Sequence, residues 1–145
     1  MKPVVTWIVL ANAREARVVA HHGPGKGLVE LPEQRWRAEK APQPRDRAGV
    51  GHSIAGPGIA AVEQSDAQLH IDTRFAQDIV RRLGRSLDAK HFERLVLVAG
   101  PHMLGLLRAH LTDRLRDVIT GEIVKDLSTQ PMDVLEARLG DVIAV

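Results

Sequence analysis

The residues of this chain best suited to chemistry are its arginines. Of its 20 basic side chains 15 are arginine, and 18 acidic side chains leave a formal net charge of +2. Arginine keeps its charge and offers a planar fork of N–H donors that fits phosphate or carboxylate. Eight basic residues form the candidate binding site for nucleic acid or another polyanion: Arg35, Arg37, Lys40, Arg45, Arg47, Arg81, Arg82 and Arg85. A solvated basic surface without a ligand is the alternative.

Catalytic and metal chemistry have little support in the sequence. The chain has no cysteine, which excludes thiol catalysis, iron–sulfur clusters and a disulfide scaffold. Its seven histidines lack metal-binding spacing, because adjacent ones such as His21 and His22 point to opposite faces of a strand. Glu15 and Glu122 are isolated acids and do not form the carboxylate cluster that holds two Mg²⁺ ions. With no nucleophile triad either, we predict no catalytic residue, no metal site and no cofactor.

Aromatic side chains, which stack on the bases of single-stranded nucleic acid, are scarce in this chain. There are two tryptophans, two phenylalanines and no tyrosine. Trp7 lies in an apolar strand-like run and Phe75 on an apolar helical stripe, so both are expected in the core. Trp36 lies between two arginines, and we predict that it can stack on a base. The scarcity of aromatics therefore favours recognition of backbone or shape over base-specific reading.

The hydrophobic pattern predicts the α/β fold that must position these residues. Three strands in a meander are expected first, at 4–10, 16–21 and 28–36. The remaining elements alternate between helix and strand: a helix with a capping box at Ser65, a strand at 95–99, a helix from Pro101, a strand at 117–124 and a helix from Pro131. Helical crossovers demand parallel pairing, whereas Pro32 places the third strand at an edge. We therefore predict a mixed five-stranded sheet of order 3-2-1-4-5 covered by helices, the ribonuclease-H-like arrangement.

The length of 145 residues predicts a single domain spanning 1–145. Residues 38–65 show no helical or strand period and contain several prolines and glycines, so a long flexible loop is expected there. The tail Asp141–Val145 is apolar, and we expect it to pack on its own domain. Pairing of the tail with the sheet edge of another subunit, which makes a homo-oligomer, is the alternative.

The first residues imitate a secretion signal without reaching its length. Lys2 precedes an apolar run that ends at Ala11-Asn12-Ala13, which resembles a cleavage site. The run is rich in β-branched residues, which favours a buried first strand. No stretch approaches the roughly 20 apolar residues of a membrane helix. We therefore expect a cytoplasmic protein without membrane insertion.

Motifs along the chain resemble those of one bacterial family. In order they are Phe75-Ala76, Phe92-x-x-Leu95-Val96-Leu97-Val98-Ala99-Gly100-Pro101, Leu104-Gly105-x-Leu107-Arg108-x-x-Leu111, Glu122-Ile123-x-Lys125-Asp126-Leu127 and Pro131. With the first strands, Trp7–Asn12 and Ala16–Val18, they resemble the host attachment protein family, "protein required for attachment to host cells", over nearly the whole chain. The resemblance implies a factor that bacteria need for attachment to a host cell.

That family is similar in plan to the middle domain of archaeal and eukaryotic peptide-chain release factors and of pelota. In release factors a loop before the long helix carries Gly-Gly-Gln, which enters the peptidyl-transferase centre of the ribosome. The corresponding loop here has Gly56-Pro57-Gly58 but no Gly-Gly-Gln, and Gln64 lies further on without paired glycines. Peptidyl-tRNA hydrolysis is therefore not expected.

Two functions of different classes follow from these observations. The first is a non-catalytic binding module that meets RNA, the ribosome or another polyanion and has an indirect role in attachment to host cells. The second is a directly acting, adhesion-related attachment factor with protein partners. An unrecognised hydrolase is a more distant alternative.

Overall fold

The computed structural model describes residues 3–40, 56–140 and 142, with only the backbone described for 56–64. The strands are β1 (Thr6–Ala11), β2 (Glu15–His21), β3 (Leu28–Arg37), β4 (Arg94–Ala99) and β5 (Ile119–Val124). The helices are α1 (Gly56–Asp88), α2 (Pro101–His110), α3 (Asp113–Val118) and α4 (Met132–Leu139).

The strands form one five-stranded sheet in the order β3-β2-β1-β4-β5, which confirms the predicted topology. β2 pairs antiparallel with β1 and with β3, because short turns connect these strands. β4 pairs parallel with β1 and with β5, because helical segments make the crossovers between them. β3 and β5 are consequently the two edges of the sheet.

Helices cover both faces of the sheet, but unequally. α1, α2 and α3 pack over one face, which we call the α1 face, on a core that includes Trp7, Val9 and Leu97. α4 packs over the other face, the α4 face, on a second core that includes Ile8 and Val96. Successive residues of β1 and of β4 belong to different cores, because side chains alternate along a strand. Burial on both faces explains why these two strands have continuous apolar sequences.

α1 begins at Gly56, so the prediction that its helix begins with a capping box at Ser65 is wrong. Pro57 is tolerated in the first turn, because the N–H groups of that turn have no helical partner. The following Ile59–Gln64 contains alanine, glutamate and glutamine, which favour helix. Part of the predicted 38–65 loop is thus helical, and residues 41–55 lie outside the described residues.

α3 is a short helix that the sequence pattern does not reveal. The hydroxyl of Thr112 accepts a hydrogen bond from the Leu115 N–H at 3.3 Å and caps the helix, while the Leu115 side chain is fully buried. Six residues are too few to display a helical period. β5 therefore begins at Ile119 and not at the predicted residue 117.

Candidate nucleic-acid interface

Three arginines of the predicted site lie together on the outer side of α1. Arg81, Arg82 and Arg85 are exposed, whereas Ile79 and Leu83 on the same helix are completely buried against the sheet. With about 3.6 residues per turn, positions 81 and 85 are one turn apart and position 82 lies beside them. We call these three side chains the α1 arginine face.

Arg82 is held in place by two neighbours. Its guanidinium carbon lies 5.4 Å from the centroid of the Trp36 ring, and its Nε donates a hydrogen bond to Asp78 at 3.0 Å. Trp36 is only 6% exposed and packs in the core beneath α1. The prediction that Trp36 stacks on a base is therefore wrong, because Arg82 covers the ring and the core encloses it.

The other two arginines of this face are less constrained. A guanidinium nitrogen of Arg81 is 3.8 Å from Asp78, and the Arg81 side chain is 59% exposed. Arg85 makes no ion pair with any residue of the part of the chain that the structure describes. Arg81 and Arg85 thus direct N–H donors to solvent, which is the arrangement that binds phosphate oxygens.

The arginines of β3 point to the opposite side of the molecule. Arg35 and Arg37 flank Trp36 in the strand, so their side chains lie on the α4 face while Trp36 lies on the α1 face. The strand register agrees, because Arg35 is directly opposite Arg17, whose guanidinium lies beside α4. Arg35 is also 3.9 Å from Glu30. The structure therefore does not bring the β3 arginines onto the α1 arginine face.

The remaining members of the predicted site follow β3. Lys40 is exposed just beyond the end of the strand. Arg45 and Arg47 lie outside the described residues. Of the eight predicted residues, the structure therefore groups the three on α1 and separates them from the two on β3.

Arg17 is a buried arginine that sequence reasoning did not single out. Its side chain is 7% exposed and forms an ion pair with Glu30 at 2.9 Å. It also donates to the backbone oxygens of Ser128, at 3.1 Å, and Gln130, at 2.6 Å. These contacts fix the segment between β5 and α4 against β2. No local signal could reveal them, because the carbonyl partners lie 111 and 113 residues further along the chain.

An aspartate–histidine pair between α1 and α2 is also absent from the sequence prediction. The buried Asp72 carboxylate accepts a hydrogen bond from Gln68 at 2.7 Å, and its other oxygen is 2.9 Å from Nε2 of His102. The His102 side chain is 58% exposed. A carboxylate that orients a histidine is one component of acid–base sites. Within the described residues no hydroxyl group is hydrogen-bonded to His102.

Arg108 of α2 forms a bidentate ion pair with Glu122 of β5, with hydrogen bonds to both carboxylate oxygens. Arg108 Nε lies 3.1 and 3.0 Å from the two oxygens, and a terminal nitrogen donates to one of them at 2.7 Å. These hydrogen bonds, supported by the positive charge of Arg108, lower the pKa of Glu122. The same contacts raise the pKa of Arg108.

The described residues lack two other features, a metal-binding cluster and a membrane-spanning helix. Among residues 3–40, 56–140 and 142, no three histidine, aspartate or glutamate side chains come close enough together to hold a metal ion. In the same part of the chain, no helix has the length and apolar character needed to cross a membrane.

Comparison with known proteins identifies the family. The sequence model of the family described as "Protein required for attachment to host cells" matches residues 7–139, which include α1 to α4 and every strand apart from the first residue of β1. The chain belongs to this host attachment family. An uncharacterized protein of Rickettsia prowazekii (strain Madrid E) is 33% identical over 117 residues, covering 78% of this chain and 73% of that protein.

A solved structure shares the fold of this host attachment protein at low identity. It is described as an archaeal protein, has a TM-score of 0.50 and 11% sequence identity, and covers 97% of this chain. The chain spans 35% of the length of that archaeal protein. The likeness shows the fold alone.

The family motifs of this chain serve mainly to build its core. Leu95–Ala99 form the buried part of β4, and the next residue, Gly100, is the N-cap of α2. Arg108 and Glu122 come from two different motifs and join α2 to β5. The α1 arginine face lies outside these motifs.

Proposed function

We propose that this host attachment protein is a non-catalytic binding module for RNA, free or in the ribosome, or for a similar polyanion. Its role in attachment to host cells is then indirect and is exerted from the cytoplasm. The observation that carries the proposal is the α1 arginine face, where Arg81 and Arg85 direct their guanidinium groups to solvent one turn apart. Guanidinium groups recognise phosphate through paired N–H donors.

The surroundings of this face favour contact with the backbone of an RNA over stacking on its bases. Arg82 is kept in place by Trp36 and Asp78, so it loses less side-chain freedom when a ligand binds. Trp7 and Trp36 are both buried in the core, which leaves contacts with phosphate and sugar as the mode of recognition. Such contacts position an RNA without reading its sequence.

The test is RNA binding by the variant in which Arg81, Arg82 and Arg85 are all replaced by alanine. Each lost phosphate contact lowers the salt dependence, since log K falls by about 0.7 per log unit of salt for each contact with a single strand. We expect the triple variant to bind a structureless RNA at least tenfold more weakly and with a shallower salt slope. Fluorescence anisotropy over a salt series measures both quantities.

A control variant separates specific contacts from net charge. The substitutions Arg114→Ala, Arg116→Ala and Arg138→Ala also remove three exposed arginines, but from α3 and α4. Binding by this control should stay near that of the wild type, and so should binding by Arg35→Ala/Arg37→Ala on the α4 face. An equal loss of RNA affinity in all variants would mean that binding depends only on net charge. Unchanged RNA affinity in the α1 triple variant would show that the α1 arginine face is not the binding site.

The family description itself favours a second function, direct attachment at the cell surface. Localisation distinguishes the two functions. Protein accessible to protease on intact bacteria would support direct attachment, whereas recovery only inside the cell would exclude it.

A further inference from the structure

The two edges of the sheet differ in how well they are protected from pairing. At the β3 edge the register shifts between Arg17 and Val19, and Leu31–Gln34 fall outside the paired positions. This unpaired stretch contains Pro32, which cannot donate a ladder hydrogen bond. Irregular geometry, proline and charged side chains are the features that keep an edge strand from adding a further strand.

The β5 edge lacks these features over most of its length. Residues Gly121–Val124 pair in regular register with Val96–Ala99, and the single irregularity of β5 lies before them, near Thr120. β5 contains no proline and no lysine. Among the described residues its sole neighbouring strand is β4, so its other side presents unpaired N–H and C=O groups.

The one charged side chain of β5 is neutralised within the subunit. Glu122 accepts three hydrogen bonds from Arg108, with donor–acceptor distances of 2.7–3.1 Å. A free glutamate on an edge strand repels a second copy of the same strand, whereas a carboxylate bound by arginine does so far less. The side chains of β5 therefore offer little charge repulsion to a second copy of the strand.

Exposed apolar side chains flank this edge on both faces of the sheet. Val124, on the same side of β5 as Glu122, is 52% exposed. Val142 is 42% exposed on the other side, and its methyl group is 2.9 Å from where a Cβ would stand at Gly121. A strand added beside β5 would cover part of both valines.

We propose that β5 pairs antiparallel with β5 of a second copy of this chain, which joins two five-stranded sheets across a twofold axis. In such a pair the twofold axis is perpendicular to the sheet. Each residue is therefore opposite a residue of the second copy whose side chain lies on the same face of the joined sheet. If the axis passed through Gly121, the irregular position Thr120 would be part of the paired region. If it passed through Glu122, the Glu122 carboxylates of the two copies would lie side by side. An axis at Ile123 avoids both: Ile123 faces its own copy, Val124 faces the neutralised Glu122, and Gly121 faces Lys125, the residue that follows β5.

The first test is the mass of the protein in solution. The subunit mass is 15.9 kDa, and we expect sedimentation to show a concentration-dependent mass approaching twice that value. Val124→Lys should abolish the increase, because lysine is a typical guard of edge strands. Val29→Lys is the matched control, since Val29 is 45% exposed on β3 at the opposite edge, and it should leave the dimer intact.

The second test reads the register of the pair. The chain has no cysteine, so a single Val124→Cys substitution provides one thiol per subunit. With the axis at Ile123, the two Cα atoms at position 124 lie about 8 Å apart, from strand rise and spacing. A short bifunctional thiol reagent should link them rapidly, whereas Val29→Cys should remain unlinked.

The outcomes that contradict the proposal are specific. A chain that stays monomeric at all concentrations, or a dimer that survives Val124→Lys and crosslinks equally through Val29→Cys, would overturn the pairing of β5. If the chain stays monomeric, the partner of the β5 edge would be a strand of a different protein or the chain's own C-terminal residues. Neither test involves RNA, so the inference stands or falls independently of the proposed function.

Discussion

At the scale of single residues, Arg17 shows how a charged side chain becomes part of a core. Its terminal nitrogens donate to Glu30 and to two backbone carbonyls of the segment between β5 and α4, whereas its buried Nε has no partner among the described residues. Burying a guanidinium is costly unless nearly all its donors are paired. Here the pairing also fastens the segment that leads into α4 to the sheet, so Arg17 couples distant parts of the chain.

Arg17→Ala should therefore be strongly destabilising. The variant leaves two carbonyls and Glu30 without their donor, and removing one partner of a buried ion pair costs about 3–5 kcal/mol. Because the Glu30 side chain is 33% exposed and regains some water, we expect a loss at the lower end, about 3 kcal/mol. Urea denaturation measures the free energy of unfolding. Arg14→Ala, at an exposed turn, should change it by less than about 0.5 kcal/mol, and equal effects of the two substitutions would refute this role of Arg17.

Glu122 gives a second prediction at this scale, and it concerns pH. Because Arg108 lowers its pKa in the folded state, ionised Glu122 adds stability above its unfolded pKa of about 4.3. That contribution is lost as the pH falls through the lowered native pKa. Glu122→Gln should thus reduce the melting temperature at neutral pH, and the difference from the wild type should shrink in acid.

Thermal unfolding at a series of pH values measures this difference. Exposed Glu93, which forms no ion pair with any described residue, provides the control variant Glu93→Gln. A gap between wild type and Glu122→Gln that stays constant from neutral to strongly acidic pH would contradict the role of the Arg108 pair.

At the scale of elements, α1 combines two different environments in one helix. Its 33 residues extend about 50 Å, more than twice the roughly 20 Å of a six-residue strand. From Ile71 to Leu83 its inner side is buried over the sheet, whereas five of the six residues at 65–70 are exposed. The sheet is too short to cover the whole helix, so residues 65–70 of α1 stand clear of the core.

Leucines in these two parts of α1 should therefore respond differently to truncation. Leu83 is completely buried in the core of the α1 face, and Leu83→Ala should cost about 2–5 kcal/mol through lost burial and a residual cavity. Leu69 is 48% exposed, and Leu69→Ala should cost less than about 0.5 kcal/mol. Chemical denaturation of both variants checks the contrast, and a large cost at Leu69 would mean that this part of α1 is covered.

At the scale of the whole molecule, the sheet lies between two groups of arginines that the sequence assigns to one binding site. The α1 arginine face lies on one side and the β3 arginines on the other, although all belong to the predicted binding site. A short RNA bound along α1 therefore does not reach Arg35 and Arg37 without passing around the β3 edge. This is why the β3 double variant serves as a control in the binding experiment.

The α1 arginine face and the proposed dimer contact lie near opposite edges of the sheet. Arg82 of the α1 arginine face covers Trp36 of β3, at one edge of the sheet, whereas the proposed dimer forms at β5, the other edge. Four strands of the sheet separate β3 from the new contact. A dimer of this kind would carry two α1 arginine faces on one continuous sheet.

The sequence by itself determined the order and direction of the strands. Apolar runs such as Val4–Leu10 and Leu95–Ala99 are continuous because both faces of those strands are buried, and helical crossovers allow parallel pairing only. Pro32 marked an edge strand for a local reason, its missing N–H. Element boundaries such as Gly56 and the short α3 were less predictable, because a few residues do not show a helical period.

Only the tertiary structure decided which side chains share a surface. Arg82 reaches Trp36 across more than 40 positions of sequence, and Asp72 reaches His102 across 30. Such contacts depend on where α1 crosses the sheet, which the packing of many buried side chains fixes together. The local sequence pattern shows the periodicity of each helix or strand, but it does not show which other elements that helix or strand contacts. For that reason the sequence indicated arginines suited to a polyanion, and the fold selected the three on α1 that lie together.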